Sequence, residues 1–116
     1  MAVTTARTAT IGGHSIALDP EGYLVDLEQW SPAVAEWLAA EEGRELTPAH
    51  WEVIDVLREF YRRFEAAPAM RALVKAVKQA LGEEKGRSIY LMQLFPDSPA
   101  KVGARLAGLP KPTNCL

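Results

Sequence analysis

The chain has 116 residues, 48% of them hydrophobic, and one cysteine, which suits a single domain whose core needs no disulfide or metal. One cysteine cannot form an internal disulfide, so the disulfide-rich secreted class is excluded. No apolar run approaches the ~20 residues of a membrane-spanning helix, and we expect no membrane partner. Because residues 1–7 lack the apolar stretch of a signal peptide, we expect a cytoplasmic protein.

Charge is distributed unevenly along the chain, whose net charge is −2. Residues 1–67 contain 12 acidic and 5 basic side chains, a net charge of −7, whereas residues 68–116 contain 3 acidic and 8 basic side chains, a net charge of +5. The positive half is expected to attract acidic partners or RNA, because a field of one sign steers opposite charges toward it. The alternative is that these charges only keep exposed helix faces hydrated.

The N-terminal segment has the pattern of a β-hairpin. Residues 8–11 and 14–18 flank Gly12-Gly13, a two-residue hairpin signal. A second turn is predicted at residues 19–22, where proline and glycine suit the required backbone angles, and residues 23–25 add a short extended stretch. The β-hairpin region therefore covers residues 8–25.

Residues 31–107 are predicted to form a helical bundle, so the fold class is mainly α. Three helix starts combine an N-cap side chain with proline at the first helical position; they are Ser31-Pro32, Thr47-Pro48 and Ser98-Pro99. A third helix is predicted to begin at Pro68, and Ser88 is predicted to cap a short fourth helix. In the second helix, an apolar stripe at helical spacing is expected to face the core; it consists of Trp51, Ile54, Leu57, Tyr61 and Phe64.

Residues 108–116 are predicted to be a flexible C-terminal arm of the single domain 1–116. Pro110 and Pro112 forbid a helix and favour extended chain. Eight extended residues after Gly108 reach roughly 26–29 Å, so the arm is expected to carry the thiol of Cys115 well away from the body.

Cys115 is the candidate catalytic residue. A free cysteine is usually buried, but chain termini are usually poorly ordered, and a thiol there contributes little to packing. Its unperturbed pKa is about 8.5, so only a small fraction is thiolate at neutral pH. Neither His14 nor His50 is near it in sequence. We therefore expect a partner either to activate the thiol or to present it with an electrophilic persulfide.

Other chemistry is not indicated by the sequence. One cysteine and two histidines without ligand spacing do not predict a metal site, and Gly12-Gly13 lacks the spacing of a phosphate loop, so no cofactor is expected. Arg71, Lys75 and Lys78 share one helix face at spacings of i, i+4 and i+7. With Lys111, they are candidate partner-docking residues; the alternative is an ordinary hydrated face.

The C-terminal sequence AGLPKPTNCL, residues 107–116, resembles the tail signature of the DsrC/TusE family of sulfur-carrier proteins. The resemblance covers about residues 11–116. Further matching segments occur in the same order along the chain: residues 19–24, 46–52, 57–61, 71–75 and 94–101.

The resemblance implies a small orthogonal helical bundle with an N-terminal β-hairpin, a helix-turn-helix-like part and a mobile tail. It also implies a sulfurtransferase whose penultimate cysteine, here Cys115, carries a persulfide. Some family members have a second tail cysteine eleven positions earlier, where this chain has Ala104. That difference argues against a tail disulfide or a bridging trisulfide and favours the TusE-like branch. Such proteins take sulfur from a TusBCD-type complex and pass it to the tRNA 2-thiouridylase for wobble-uridine 2-thiolation.

Three alternative functions are also compatible with the sequence. One is a single-cysteine DsrC-like carrier in sulfur oxidation or sulfite reductase-linked metabolism. Another is a helix-turn-helix DNA-binding regulator, although the chain lacks the basic excess of such proteins, and residues 47–66 are acidic to neutral. The third is a purely structural subunit, which leaves the thiol unexplained.

Overall fold

An antiparallel β-hairpin opens the fold in a computed structural model of the protein, which describes residues 6–112. Strand β1 (Arg7–Ile11) pairs with β2 (His14–Leu18), with Ile11 opposite His14. The connecting glycines both have positive φ, +58° and +82°, as a tight two-residue turn requires. An antiparallel bridge between Leu18 and Leu24 adds a short third stretch. The predicted hairpin is therefore confirmed, with β1 starting one residue earlier.

A five-helix bundle follows within the described residues. After a short 3-10 turn at Leu27–Gln29, the helices are α1 (Pro32–Glu41), α2 (Pro48–Phe64), α3 (Met70–Leu81), α4 (Ser88–Leu94) and α5 (Pro99–Leu106). The predicted mainly α architecture is confirmed. Among residues 6–112, no helix is both long enough and apolar enough to cross a bilayer.

Helix starts follow local side-chain chemistry where a capping side chain is present. The side chains of Ser31, Thr47 and Ser98 each accept a hydrogen bond from a backbone N–H in the first turn, as predicted. Two starts differ from the prediction. Helix α3 begins at Met70 rather than Pro68, and Ser88 is the first residue of α4 rather than its cap.

His50 has a structural role at the start of α2. Its Nδ1 lies 3.1 Å from the backbone N of Thr47, which completes a capping box. Its Nε2 lies 2.8 Å from the carbonyl oxygen of Leu94, and its ring packs edge-on against Phe95. The histidine therefore ties the start of α2 to the end of α4.

Helix α5 lies at the centre of the bundle and contacts α1, α2, α3 and α4. A Cβ atom on Gly103 of α5 would lie only 2.9 Å from a methyl of Leu57, so glycine permits the close approach of α5 and α2. The predicted inward stripe of α2 is confirmed in part, since Ile54 and Leu57 are fully buried. Phe64 is 58% exposed, because it ends α2 and packs on Phe60 of its own helix.

The C-terminal arm does not begin where the sequence predicted. Leu109 is only 2% exposed and joins the hydrophobic core, and Pro112 is also buried. The backbone N–H of Leu109 donates to the carbonyl of Ala104. Residues 108–112 are therefore packed on the body, because an apolar side chain directly after the helix is drawn into the core.

Candidate functional site

Cys115 lies outside the described residues, and the described part of the site consists of the residues that hold the chain up to Pro112. Cys115 follows Pro112 by three residues. Three residues span at most about 11 Å, even when fully extended. A partner must therefore approach the body close to Pro112, rather than at the 26–29 Å reach estimated from Gly108.

The C-terminal segment leaves α5 through a Schellman motif. The N–H of Gly108 donates to the carbonyl of Arg105 at 3.3 Å, and that of Leu109 donates to Ala104 at 2.9 Å. Gly108 has a φ of +74°, and a Cβ atom there would lie 2.3 Å from Cδ1 of Trp30. Only glycine satisfies both the backbone angle and the space.

Two side chains from other parts of the fold bind the last carbonyls of α5. The indole Nε1 of Trp30 donates to the carbonyl of Leu106 at 2.8 Å. The guanidinium of Arg58 donates to the carbonyl of Ala107 at 2.7 Å, and its Cζ lies 3.8 Å from the centre of the Trp30 ring. The pKa of Arg58 is lowered by burial of the guanidinium, and the charge of Asp55 opposes this shift only in part. We call Trp30, Arg58 and Gly108 the tail clamp.

An ion pair ties the next part of the segment to the N-terminal turn. The Nζ of Lys111 lies 2.8 Å from a carboxylate oxygen of Glu21, and this hydrogen bond holds the pKa of that carboxyl below its usual value. The turn itself is braced by the Asp19 side chain, which accepts from the backbone N–H groups of Glu21 and Tyr23. Because the pair is exposed, its contribution to stability is small.

Lys101 and Arg105 were not among the predicted docking residues, yet both lie close enough to Glu21, the ion-pair partner of Lys111, to act on its charge. Both exert a Coulombic effect on Glu21 that lowers its pKa, after the larger effect of Lys111. Arg105 also forms an ion pair with Glu42. Their i, i+4 spacing indicates that Lys101 and Arg105 share one face of α5. Nothing in the sequence indicates that this face adjoins the segment leading to Cys115.

The predicted stripe on α3 is present as one exposed face. Arg71, Lys75 and Lys78 are all exposed, and Lys78 lies 4.0 Å from Glu83. Within residues 6–112, Arg71 and Lys75 have no ion-pair partner. Lys75 lines an open groove of about 760 Å³ between α2 and α3, with acidic residues Asp55 and Glu59 on the α2 side. Lys75 therefore lies on the α2–α3 surface, whereas Lys111 lies on the segment that follows the tail clamp.

Ala104 stands where the resemblance leads us to expect a second tail cysteine in some relatives. Its side chain is fully buried in α5, and its carbonyl accepts the hydrogen bond from Leu109. Cys115 is the only cysteine in this sequence. Over the part of the chain that the structure describes, no group of His, Cys, Asp or Glu residues is placed to hold a metal ion.

The class of protein is defined by its fold, which combines the hairpin, the helical bundle and the packed C-terminal segment. A family model described as "DsrC like protein" matches residues 10–116, and the chain belongs to this family. The resemblance read from the sequence is therefore confirmed.

Named relatives narrow the comparison further. The chain is 53% identical to the sulfurtransferase TusE of Pectobacterium atrosepticum over 104 residues, which is 90% of this chain and 95% of that protein. The sulfurtransferase TusE of Salmonella typhimurium matches with the same identity and coverage. These names confirm the prediction that the chain is a sulfurtransferase of this family.

Solved structures of the family share the fold. The solution structure of Allochromatium vinosum DsrC superposes with a TM-score of 0.86 at 50% identity, covering 94% of this chain and 97% of that one. The oxidised γ-subunit of the dissimilatory sulfite reductase (DsrC) from Archaeoglobus fulgidus gives a TM-score of 0.82 at 38% identity, covering 95% and 100%. The fold of this chain is therefore the fold of these DsrC proteins.

Proposed function

We propose that the protein is a cytoplasmic sulfur relay protein that carries a persulfide on Cys115. It accepts sulfur from a TusBCD-type donor complex and passes it to the tRNA 2-thiouridylase with its tRNA, for 2-thiolation of the wobble uridine. The observation that carries the proposal is the 53% identity to TusE over 95% of that protein's length, together with a family match that runs through residue 116 and so includes the sole thiol.

The proposed chemistry is a thiol–persulfide exchange that requires no oxidant. The Cys115 thiolate attacks the outer sulfur of the donor's cysteine persulfide. A bond forms between Sγ of Cys115 and that sulfur while the donor's S–S bond breaks, and the donor cysteine leaves as a thiolate. The second transfer repeats the exchange toward the acceptor. The protein therefore acts within a relay and ends each cycle with its thiol restored.

The absence of a second cysteine supports a relay role. With alanine at position 104, the Cys115 persulfide meets no internal thiol with which to form a disulfide. Its outer sulfur remains available for transfer to another protein. This fits the TusE-like branch better than a mechanism that joins two tail cysteines.

A reconstituted relay tests the proposal. The protein is incubated with a cysteine desulfurase, cysteine and a TusBCD-type complex, then with the thiouridylase and its tRNA. We expect the protein to gain the mass of one sulfur atom. We also expect 2-thiouridine in the digested tRNA, and none when the protein is left out. Absence of 2-thiouridine despite a loaded protein would reject the tRNA step.

The second candidate is a carrier that serves sulfur oxidation or sulfite reductase-linked metabolism. It is favoured by the 50% identity and TM-score of 0.86 to the DsrC of Allochromatium vinosum. In the same reconstitution, this candidate predicts a loaded protein that leaves the tRNA unmodified and transfers its sulfur to a sulfite reductase instead. A DNA-binding role is less well supported, because the α2 side of the α2–α3 groove is acidic.

Partner docking through the α3 stripe is a separate prediction. Lys75 is exposed and unpaired among the described residues, so its charge is available to a partner. Lys75→Glu is expected to slow sulfur delivery to the thiouridylase at least ~3-fold at low salt, where the Debye length is about 30 Å at 0.01 M, and less at 0.15 M. Loading by inorganic polysulfide should not change.

The matched control is Arg87→Glu. Arg87 is also an exposed cation, but it lies at the start of α4 and outside the three-residue stripe. The variant applies the same change of charge just beyond the stripe, because the preceding Gly86 packs against Lys78. Delivery by Lys75→Glu at the parent's rate at both salt concentrations would show that the stripe only hydrates α3, and an equal slowing in both variants would show an effect of net charge alone.

A further inference from the structure

We infer that Trp30 and Arg58 are positioning residues for sulfur transfer: they fix the direction in which the chain leaves α5 and thereby place Cys115 in a partner's active site. The inference rests on the proposed function of Cys115. It concerns two residues that lie far from Cys115 in sequence and do not take part in the chemistry of the exchange.

The end of α5 is more completely bonded than a helix end requires. The last four carbonyls of a helix lack partners within it. In α5 the Schellman bonds occupy the carbonyls of Ala104 and Arg105. Trp30 and the guanidinium of Arg58 then occupy the next two, those of residues 106 and 107. All four carbonyls are held by groups from within the protein.

Helix α1 shows that the same motif forms without such a clamp. It ends in an equivalent Schellman motif, in which Gly43 has a φ of +72° and Arg44 N–H donates to Ala39 at 2.9 Å. Nothing lies within 4 Å of a Cβ atom placed on Gly43. Terminating a helix in this fold therefore does not require an indole and a guanidinium. Their presence at the end of α5 indicates a further constraint on the chain that follows.

The clamp holds the chain at a point where a small rotation of the backbone changes the position of Cys115 by a large distance. The clamp lies at residues 106–108, and Cys115 follows Gly108 by seven residues. Pro110 and Pro112 restrict the intervening backbone, so a change of direction at the clamp carries through to Pro112. Fixing that direction in advance lowers the entropy lost when the thiol is aligned with the donor persulfide.

Two conservative substitutions test the clamp. Trp30→Phe keeps an aromatic ring under Arg58 but removes the N–H that binds residue 106, and Arg58→Lys keeps the charge but loses the planar group over the ring. Trp37→Phe is the matched control, because Trp37 is a partly buried indole that pairs with Arg7, 5.7 Å from its ring centre, on α1. Thermal unfolding establishes that each variant is folded.

Kinetics with a sulfur-loaded TusBCD-type complex give the first readout. Both clamp variants are expected to lower kcat for transfer by about tenfold with little change in KM, since a misplacement of ~1 Å can cost on the order of 100-fold. Loading by inorganic polysulfide should remain at the parent rate, because that reagent needs no docked geometry. If both variants transfer sulfur as fast as Trp37→Phe, the inference is wrong.

A nitroxide attached to Cys115 gives a second readout that is independent of sulfur chemistry. In the parent, broadening of amide NMR signals should concentrate near Pro112, at the turn of residues 19–22 and on α5. In Trp30→Phe and Arg58→Lys it should spread over a wider surface, whereas Trp37→Phe should match the parent. An unchanged pattern in both clamp variants contradicts the inference. If the proposed function is wrong, the TusBCD-type complex will instead fail to load sulfur onto the parent protein itself.

Discussion

Cys115→Ser is expected to abolish persulfide loading and, with it, sulfur delivery to any acceptor. Serine keeps the size of the side chain but replaces the thiol by a hydroxyl, which ionises far less readily and forms no stable sulfur adduct under these conditions. Because the chain has no other cysteine, no second thiol can take over. Intact-mass measurement after incubation with the desulfurase, cysteine and donor complex should show one added sulfur on the parent and none on the variant.

Stability measurements on Cys115→Ser separate loss of chemistry from loss of fold. Leu109 and Pro112 are the last buried residues in the described part of the chain, and the substitution leaves both unchanged. We expect the unfolding midpoint of the variant to equal that of the parent. Sulfur found on the variant at the parent's stoichiometry would show that Cys115 is not the acceptor.

Local signals in the sequence were sufficient to predict most of the secondary structure. The hairpin follows from Gly12-Gly13, and three helix starts follow from Ser31, Thr47 and Ser98, because each signal acts within a few residues. Where no side chain caps the helix, as at the start of α3, the predicted start was displaced. Local chemistry then sets the boundary only loosely.

The beginning of the C-terminal arm could not be predicted in this way. Pro110 and Pro112 correctly exclude a helix, but burial of Leu109 depends on the surface that α5 and its neighbours present to it. No sequence pattern singled out Trp30, and Arg58 occurred only inside the matching segment 57–61. Their hydrogen bonds to residues 106 and 107 join positions 76 and 49 residues apart in sequence. Such long-range pairing leaves no periodic signal in a single sequence.

The structure also divides the positive charge of the C-terminal half between two surfaces. Lys101 and Arg105 lie with Lys111 around Glu21, next to the segment that leads to Cys115. Lys75 lies on the α2–α3 groove. A partner that receives sulfur must reach the first surface, because Cys115 is tethered within about 11 Å of Pro112. Slower delivery by Lys75→Glu would therefore indicate a partner, or its tRNA, large enough to contact both surfaces.

Gly108→Ala is expected to destabilise the protein more than Gly43→Ala, its matched control at the end of another helix. Both glycines follow a helix in a Schellman motif, with φ values of +74° and +72°. The left-handed conformation costs an alanine roughly 1–2 kcal/mol at either site. The comparison therefore holds the backbone strain constant and varies only what surrounds the new methyl group.

The surroundings of the two sites differ sharply. At Gly43 a Cβ atom meets nothing within 4 Å, whereas at Gly108 it would lie 2.3 Å from Cδ1 and 2.7 Å from Cβ of Trp30. Since Trp30 is held by the Leu106 carbonyl and by Arg58, it cannot move aside without breaking the tail clamp. Overpacking of this kind costs a further ~1–3 kcal/mol.

The expected free energies of unfolding are therefore lower than the parent's by about 1–2 kcal/mol for Gly43→Ala and about 2–5 kcal/mol for Gly108→Ala. With a urea dependence of about 1–3 kcal/mol per molar, the two losses appear as clearly separated shifts of the unfolding midpoint. Gly108→Ala should also reproduce the loss of sulfur-transfer kcat predicted for Trp30→Phe, because its methyl group displaces the indole. Equal midpoints for the two alanine variants would mean that Trp30 does not press on Gly108 in solution, and the clamp would then lose its geometric basis.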